Sequence, residues 1–264
     1  LIQMYDKNSA ELDIQLTGYQ WKWRYQYLNQ DIDFFSSLAT PQEQIINEQV
    51  KGKNYLLEVD KPLVIPAGKK IRFLLTSNDV IHSWWVPALA VKKDAIPGFV
   101  NESWTRVDQP GIYRGQCAEL CGRDHGFMPI VVEVKSAEDY QLWVAEQASL
   151  KVKQQQSAQR NWSQAELMAR GETVYKASCA ACHQLEGQGI AGVFPALAGS
   201  ELMAADPAEH IDIVLFGRSG TAMQAFAEQL TPVDLAAVIT YERSAWGNQG
   251  DAVTVQQIAE LLKE

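Results

Sequence analysis

The spacing of hydrophobic and polar positions changes near residue 136, and this change divides the chain into two parts. Before that point, short runs rich in β-branched and aromatic residues alternate with turn signals, which is typical of strands. Such runs occupy 14–17, 56–59, 70–75 and 130–134, and Pro66-Ala67-Gly68 and Pro110-Gly111 predict reversals. Many short strands with little helix predict a β-sandwich domain at 1–135.

From Ser136 onward, helix start signals replace the strand pattern. Ser136 with Asp139 predicts a helix to about Leu150, and residues 151–159 are either a polar linker or a continuation of that helix. We therefore assign 136–162 to a helix and linker. Further start signals at Ser163, Thr231 and Thr254 predict a small all-α domain at 163–264.

Composition and charge agree with two globular domains. The chain has 264 residues and is 47% hydrophobic. Residues 1–135 carry 15 basic and 16 acidic side chains, whereas residues 136–264 carry 8 and 16. The acidic second part either attracts a basic redox partner or keeps the domain soluble, and no nucleic-acid partner is expected.

The sequence contains no apolar run of the roughly 18–20 residues that a membrane helix needs. It starts at Leu1-Ile2 without an initiator Met and without a signal-peptide pattern. We therefore expect that membrane segments lie upstream of this chain.

A Cys-x-x-Cys-His motif stands at 179–183. Two thiols at this spacing attach to the vinyl groups of a haem c, and the next residue, His183, supplies an iron ligand. A thioredoxin-like redox pair or half of a zinc site are the alternatives, but the strand or second ligand pair that they require is missing. Residues 187–199, rich in glycine and small side chains, predict an irregular segment around a bound group.

The second iron ligand has three candidates: Met203, His210 and Met223. Met223 is preferred because it follows a glycine-punctuated stretch, and His210 is predicted to be a surface residue of a helix. The motif, Phe194-Pro195, Tyr241 and Trp246 together resemble a class I cytochrome c domain. In that family the methionine precedes a proline, whereas here Gln224 follows it.

A second cluster of metal-binding residues lies in the loop at 115–129. Thiolate, imidazole and thioether together are a ligand set that suits copper, and His82 is the natural second imidazole. The alternatives are a Cys117–Cys121 disulfide, which leaves the histidine and methionine unexplained, and zinc, for which methionine is a poor ligand. The candidate side chains of the loop are Cys117, Cys121, His125 and Met128.

The whole chain resembles subunit II of a haem-copper cytochrome c oxidase with a cytochrome c domain fused at its C-terminus, as in the caa3 type. Four segments carry this resemblance: 18–25, 78–84, 93–98 and 117–129. It implies a cupredoxin-like Greek-key sandwich and the dinuclear copper centre CuA. It implies bridging by Cys117 and Cys121, one copper each for His82 and His125, and weaker ligation by Met128 and the Glu119 carbonyl.

The resemblance also implies two roles that the residues alone do not. Trp21 matches the tryptophan through which electrons reach CuA, and the Glu119 side chain matches a ligand of a magnesium ion at the interface with subunit I. On pattern alone, packing is the favoured role for Trp21 and Trp23, and Glu119 is expected to be a solvated acid of the loop.

Both predicted centres carry electrons rather than catalyse, since neither leaves an open coordination position. The resemblance implies an electron-transfer subunit of a proton-translocating oxidase at the periplasmic face of the bacterial inner membrane. Subunits I and III and a soluble or membrane-bound cytochrome donor are its expected partners. The alternatives are a nitrous oxide reductase domain, for which four histidines are too few, and a free electron shuttle or copper-delivery module.

Overall fold

The computed structural model describes residues 10–263, so the first nine residues of the predicted sandwich domain lie outside the described part. The chain divides into two compact units, Leu1–Ser149 and Leu150–Glu264. In the described part, strands build the first unit and helices the second. The predicted order of a β-sandwich followed by a helical domain is therefore confirmed.

The strands form two five-stranded sheets. In chain order they are β1 (Leu12–Tyr19), β2 (Lys22–Tyr27), β3 (Ile32–Ser36), β4 (Leu63–Pro66), β5 (Lys70–Ser77), β6 (His82–Val86), β7 (Val91–Ala95), β8 (Asn101–Arg106), β9 (Gly111–Cys117) and β10 (Pro129–Lys135). One sheet has the order β3-β2-β1-β5-β8 and the other β4-β10-β9-β6-β7. The pairs β1–β5 and β4–β10 are parallel, and the other pairs are antiparallel.

The core of the first unit lies between these sheets. Along β5, Ile71, Phe73 and Leu75 are buried while the residues between them are partly exposed, which is the alternation of a half-buried strand. Phe73 meets Trp84 of the other sheet with ring centroids 5.1 Å apart. Burial of each such side chain stabilises the fold by about 1.5–3 kcal/mol.

One predicted strand, 56–59, is wrong. Leu56 has a φ of +60°, in the left-handed region, and the Leu57 N–H donates to the Asn54 carbonyl in a turn. Only Val59 makes an isolated bridge, to Leu38. The run is partly buried and lies in the connection between β3 and β4.

The helices are α1 (Gln42–Ile45), α2 (Ala137–Gln159), α3 (Gln164–Ser178), α4 (Ala180–His183), α5 (Glu201–Ala204), α6 (Pro207–Phe216), α7 (Pro232–Ser244) and α8 (Val255–Leu261). The hydroxyl of Ser136 accepts from the Asp139 N–H at 3.0 Å, so the predicted start of α2 is confirmed. The helix continues through the polar segment to Gln159 because Lys, Gln and Ala favour helix and neither Gly nor Pro interrupts them.

In the second unit, α3 and α7 cross at small side chains. A Cβ on Gly171 would lie 2.1 Å from the Ala237 carbonyl oxygen, so only glycine permits this approach. The predicted starts at Ser163, Thr231 and Thr254 are confirmed, since each side chain accepts a hydrogen bond from a backbone N–H of its own helix. None of the described helices combines the length and apolar composition of a membrane span.

Candidate copper and haem sites

The candidate copper residues meet where β9 ends and where β6 and β10 begin. Trp84 of β6 lies opposite Cys117 of β9, so His82 at the start of β6 is next to the end of β9. The loop that follows is closed by a hydrogen bond from the Cys117 N–H to the Met128 carbonyl at 3.0 Å. The next backbone N–H, that of Ala118, donates to the Ser83 carbonyl. Strand register therefore brings together residues that are 35 positions apart in sequence.

The distances between the donor atoms pair each thiol with one imidazole. The sulfurs of Cys117 and Cys121 are 3.7 Å apart, and both cysteines are free thiols. His82 Nδ1 is 3.9 Å from the Cys117 sulfur, and His125 Nδ1 is 3.4 Å from the Cys121 sulfur. The donors of His82, Cys117 and Cys121 all lie within 4.8 Å of one another. Thiols and imidazoles held this close together suit copper.

The site is enclosed and electrostatically polarised. Cys117, Cys121 and Met128 are each exposed by 3% or less, whereas His125 is half-buried at the rim. The hydrogen bond between the thiols lowers the pKa of Cys117 and raises that of Cys121. Burial opposes protonation of His82, but hydrogen bonds with Asp79 and Cys117 outweigh it and raise its pKa. Metal binding at such a site releases protons.

Two residues that the sequence analysis did not single out hold His82 in place. Asp79 Oδ1 lies 2.8 Å from His82 Nε2, which leaves Nδ1 directed at the sulfur. A Cβ on Gly18 would lie 2.7 Å from the imidazole, so glycine is needed there. Asp79 stands three residues before His82, and this proximity was the only signal for it in the sequence.

Glu119 and the two tryptophans take different places around the loop. The Glu119 carbonyl accepts from the Cys117 thiol at 3.4 Å, while its side chain is exposed. Trp21 is half-buried and donates from Nε1 to the Cys121 carbonyl at 3.2 Å. Trp23 is wholly buried, edge-on to the His82 ring with centroids 5.9 Å apart. Trp21 thus contacts the metal loop, and Trp23 belongs to the core.

The Cys-x-x-Cys-His motif lies at the end of α3 and in the four-residue helix α4. Cys179 and Cys182 are both partly exposed. His183 Nδ1 lies 2.9 Å from the Pro195 carbonyl oxygen, which can only accept, so Nδ1 carries the proton. This hydrogen bond leaves Nε2 without a proton and able to bind a metal, and it fixes the ring orientation. The motif therefore fits a covalently attached haem.

The three candidates for the second iron ligand differ in their surroundings. Met203 is buried in α5, and Met223 is half-buried in the irregular segment after α6. The Met223 carbonyl accepts from the Arg218 N–H at 3.0 Å, and a Cβ on Gly217 would lie 2.7 Å from that same oxygen. These contacts hold the backbone of the methionine loop in place.

The surface position predicted for His210 is wrong. His210 is only 2% exposed, and its Nε2 lies 2.9 Å from a carboxylate oxygen of Glu242, which is also buried. Residues 32 apart, on α6 and α7, form this pair, and no local pattern announces it. The imidazole is therefore used for packing between two helices.

Three aromatic rings pack beside the haem motif. The centroids of Tyr175, Tyr241 and Trp246 lie 4.8–5.6 Å apart, and the Tyr175 hydroxyl donates to the Gln184 carbonyl at 2.6 Å. Gly187 contacts this cluster, since a Cβ there would lie 2.6 Å from the Trp246 ring. The cluster joins α3 and α7 to the segment that follows His183.

Two family models match the chain, one in each of its two compact units. Residues 12–135 match the family model described as cytochrome C oxidase subunit II, periplasmic domain. Residues 166–241 match the family model described as cytochrome C oxidase, cbb3-type, subunit III. The first match includes every candidate copper residue, and the second includes the Cys-x-x-Cys-His motif and Met223.

Two curated relatives each match about half of the chain. A probable cytochrome c oxidase subunit 2 of Rickettsia bellii is 50% identical over 136 residues, which are 52% of this chain and 49% of the relative. The mitochondrial cytochrome c oxidase subunit 2 of Vigna unguiculata is 44% identical over 137 residues, 52% of this chain and 36% of the relative. The chain thus spans half or less of the length of these curated relatives.

The chain is also similar to a solved structure, that of the periplasmic domain of subunit II of cytochrome oxidase of Bradyrhizobium japonicum. It is 40% identical to this chain, and the match covers 53% of this chain and 96% of that one with a TM-score of 0.48.

Proposed function

The chain belongs to the cytochrome c oxidase subunit II family, and from this premise we propose that it carries electrons from a haem c in its second unit to CuA in its first. Subunit I of a haem-copper oxidase then receives the electrons and reduces dioxygen to water. The observation that carries this proposal is the pair of free thiols 3.7 Å apart, each beside one imidazole.

The proposed copper site uses two bridging thiolates, two imidazoles, a thioether and a backbone carbonyl. These ligands are Cys117 and Cys121, His82 and His125, Met128, and Glu119. When bound, a thiolate-bridged copper pair supplies a one-electron redox site. The protein holds the ligands in a buried pole of the sandwich, and Asp79 orients the His82 ring through its 2.8 Å contact.

The proposed haem is attached through Cys179 and Cys182, with His183 and Met223 as the axial ligands of the iron. A low-spin haem with these ligands supplies a second one-electron site when bound. The Pro195 carbonyl holds the proton on His183 Nδ1. The backbone contacts of Met223 with Arg218 and Gly217 set the position of the second ligand.

Trp21 is the proposed point at which electrons reach the copper centre. Its indole nitrogen donates to the carbonyl of a copper-ligand residue, Cys121, at 3.2 Å. The hydrogen bond gives a short connection from a half-buried ring to the metal loop. Neither centre is proposed to catalyse, because the protein ligands and the porphyrin leave no open position.

Membership of this family also suggests a second metal ion, partner proteins and a location. The exposed Glu119 carboxylate is the proposed ligand of a magnesium ion shared with subunit I. Subunits I and III, a cytochrome donor and a place at the periplasmic face of the bacterial inner membrane complete the proposal. The matched family model is that of a periplasmic domain, which supports this location.

The test is electron paramagnetic resonance with an optical spectrum on the oxidised, copper-loaded chain, followed by reduction with dithionite. We expect a multi-line copper signal with purple absorption, together with the sharp band of a reduced c-type haem. A single-copper signal, or a haem band with no copper signal, would contradict the CuA assignment. The copper-free chain carrying haem is the control for the optical background.

A further inference from the structure

The turn between β1 and β2 touches the copper loop through two neighbouring side chains. Gln20 Nε2 donates to the Cys121 carbonyl at 2.8 Å, and Trp21 Nε1 donates to the same oxygen at 3.2 Å. A carbonyl oxygen has two lone pairs, so it can accept both bonds at once. The carbonyl of one proposed copper ligand is therefore shared between the proposed electron-receiving tryptophan and its neighbour.

The same turn is also tied to the other side of the copper site. The Gln20 backbone N–H donates to Asp79 Oδ2 at 2.7 Å, while Asp79 Oδ1 lies 2.8 Å from His82 Nε2. One carboxylate thus connects the turn to a proposed copper ligand. Gln20 contacts both halves of the site, with its backbone toward His82 and its side chain toward Cys121.

The contact between the turn and the loop leaves no spare room. A Cβ on Gly122 would lie 2.8 Å from Gln20 Nε2 and 3.2 Å from Trp21 Cζ2, and its φ is +116°. The amide and the indole are therefore packed against the loop backbone as well as bonded to it. Loss of the amide would remove one of the two donors to the carbonyl and open space beside the ring.

We infer that Gln20 is a positioning residue for electron transfer: its amide fixes the Cys121 carbonyl against which Trp21 is held. The inference rests on the proposed function, because it assumes that electrons reach the copper centre through Trp21. A single 3.2 Å bond leaves the indole free to tilt, whereas the neighbouring 2.8 Å bond immobilises the acceptor. Rates that depend on orientation fall steeply with displacements of about 1 Å.

The test compares the Gln20→Leu variant with the unchanged chain, both at full length and both prepared with and without the two metal centres. Leucine keeps the size of the side chain and removes the donor. In the metal-free chain, nuclear magnetic resonance should show the Trp21 indole N–H shifted and exchanging faster with solvent. In the loaded chain, the rate of haem-to-copper transfer after a reducing pulse should fall by about ten- to a hundredfold. The multi-line copper signal should remain.

Gln26→Leu is the matched control. Gln26 lies in β2 of the same hairpin, and its amide contacts Asp33 at 3.3 Å instead of the copper loop. It should leave the indole resonance and the transfer rate unchanged. An equal fall in rate in both variants would assign the effect to the hairpin and overturn the inference.

Gln20→Glu tests the hydrogen bond itself and serves if leucine prevents folding. At neutral pH an ionised carboxylate only accepts, so the variant should lose the bond and show the slow rate. Protonation at lower pH restores a donor, and the rate should rise toward that of the unchanged chain, which itself should show no such rise. Unchanged rates and indole signals in both Gln20 variants, with an intact copper signal, would refute the positioning role. Absence of the multi-line signal from the unchanged chain would instead refute the proposed function.

Discussion

The candidate copper residues and the candidate haem residues are placed by different kinds of structure. His82 and Cys117 come from neighbouring strands, and the pairing of Trp84 with Cys117 sets their separation. Cys182 and His183 stand in a four-residue helix whose bonds are mostly local, and both are partly exposed. The candidate copper site thus depends on the folded sandwich, whereas the candidate haem attachment depends on a short segment in which the Pro195 carbonyl orients His183.

The largest effect should come from exchanging single thiols, which tests whether the two centres are independent. Cys121→Ser should abolish the multi-line copper signal because a hydroxyl is a poor bridging ligand, while the c-type haem band remains. Cys182→Ala should leave one thioether and shift the haem band, while the copper signal remains. Paired spectra of the two variants are the measurement. A multi-line signal in Cys121→Ser would contradict the assignment of the bridge.

Breaking the buried His210–Glu242 pair tests whether the second unit depends on contacts between residues far apart in sequence. His210→Leu should lower the free energy of unfolding by about 3–5 kcal/mol, since it leaves a buried carboxylate without its partner. Urea unfolding followed by haem absorbance measures this. Glu209→Gln, an exposed neighbour on α6, is the control and should change stability by about 0.5 kcal/mol or less. A loss as small as that of the control would show that the pair is dispensable.

Gly18→Ala should act on the copper side by steric contact. The added Cβ meets the His82 ring at 2.7 Å, so the ring or β1 must shift, at a cost of about 1–3 kcal/mol. The copper spectrum should change with it because the imidazole is displaced. Gly126→Ala is the matched control, since it lies in the copper loop and a Cβ there has no neighbour within 4 Å. Similar melting curves for the two variants would contradict the packing argument.

The smallest effect should be that of Tyr140→Phe on the first unit. At neutral pH it removes a 3.0 Å hydrogen bond to Gln30, a loss of about 0.5–1.5 kcal/mol. Burial raises the pKa of Tyr140 to about 12, although the Gln30 bond opposes the rise. The folded unit therefore favours the neutral phenol, and this stability is present below pH 10 and lost between pH 10 and 12.

Urea unfolding of Tyr140→Phe and of the unchanged chain at pH 7 and pH 11 tests whether Tyr140 makes the free energy of unfolding fall at alkaline pH. The variant should lose less stability on going to pH 11. Part of the alkaline loss should remain, because burial also raises the pKa of Tyr25 and Tyr27. An identical pH dependence in both chains would show that Tyr140 does not contribute to it.

Much of this arrangement could be predicted from sequence because its signals are local. A run rich in β-branched and aromatic residues predicted β5, and the hydroxyl caps at Ser163 and Thr254 predicted α3 and α8. The metal loop and the Cys-x-x-Cys-His motif are likewise contiguous. The ligand assignments themselves stay predictions until metal is measured.

The features that sequence did not reveal depend on contacts between distant segments. Gln20 meets Cys121 across 101 residues, and Glu242 meets His210 across 32. The run at 56–59 has a strand-like composition, but the left-handed backbone at Leu56 ends the extended conformation. Composition gives no information about which of these polar side chains acquires a buried partner.

The parallel pairing of β1 with β5 also sets the order of events during folding. Leu12 pairs with Ile71, and the ladder continues to Gly18 and Ser77. The first strand therefore cannot pair with β5 until residues 59 positions later in the chain are in place. Closing loops of this length slows folding relative to helices with neighbouring contacts. The helices of the second unit should therefore form early once synthesised, whereas the sandwich that brings the candidate copper ligands together should be completed late. Until then both thiols of the future copper site remain accessible to whatever reagents the compartment contains.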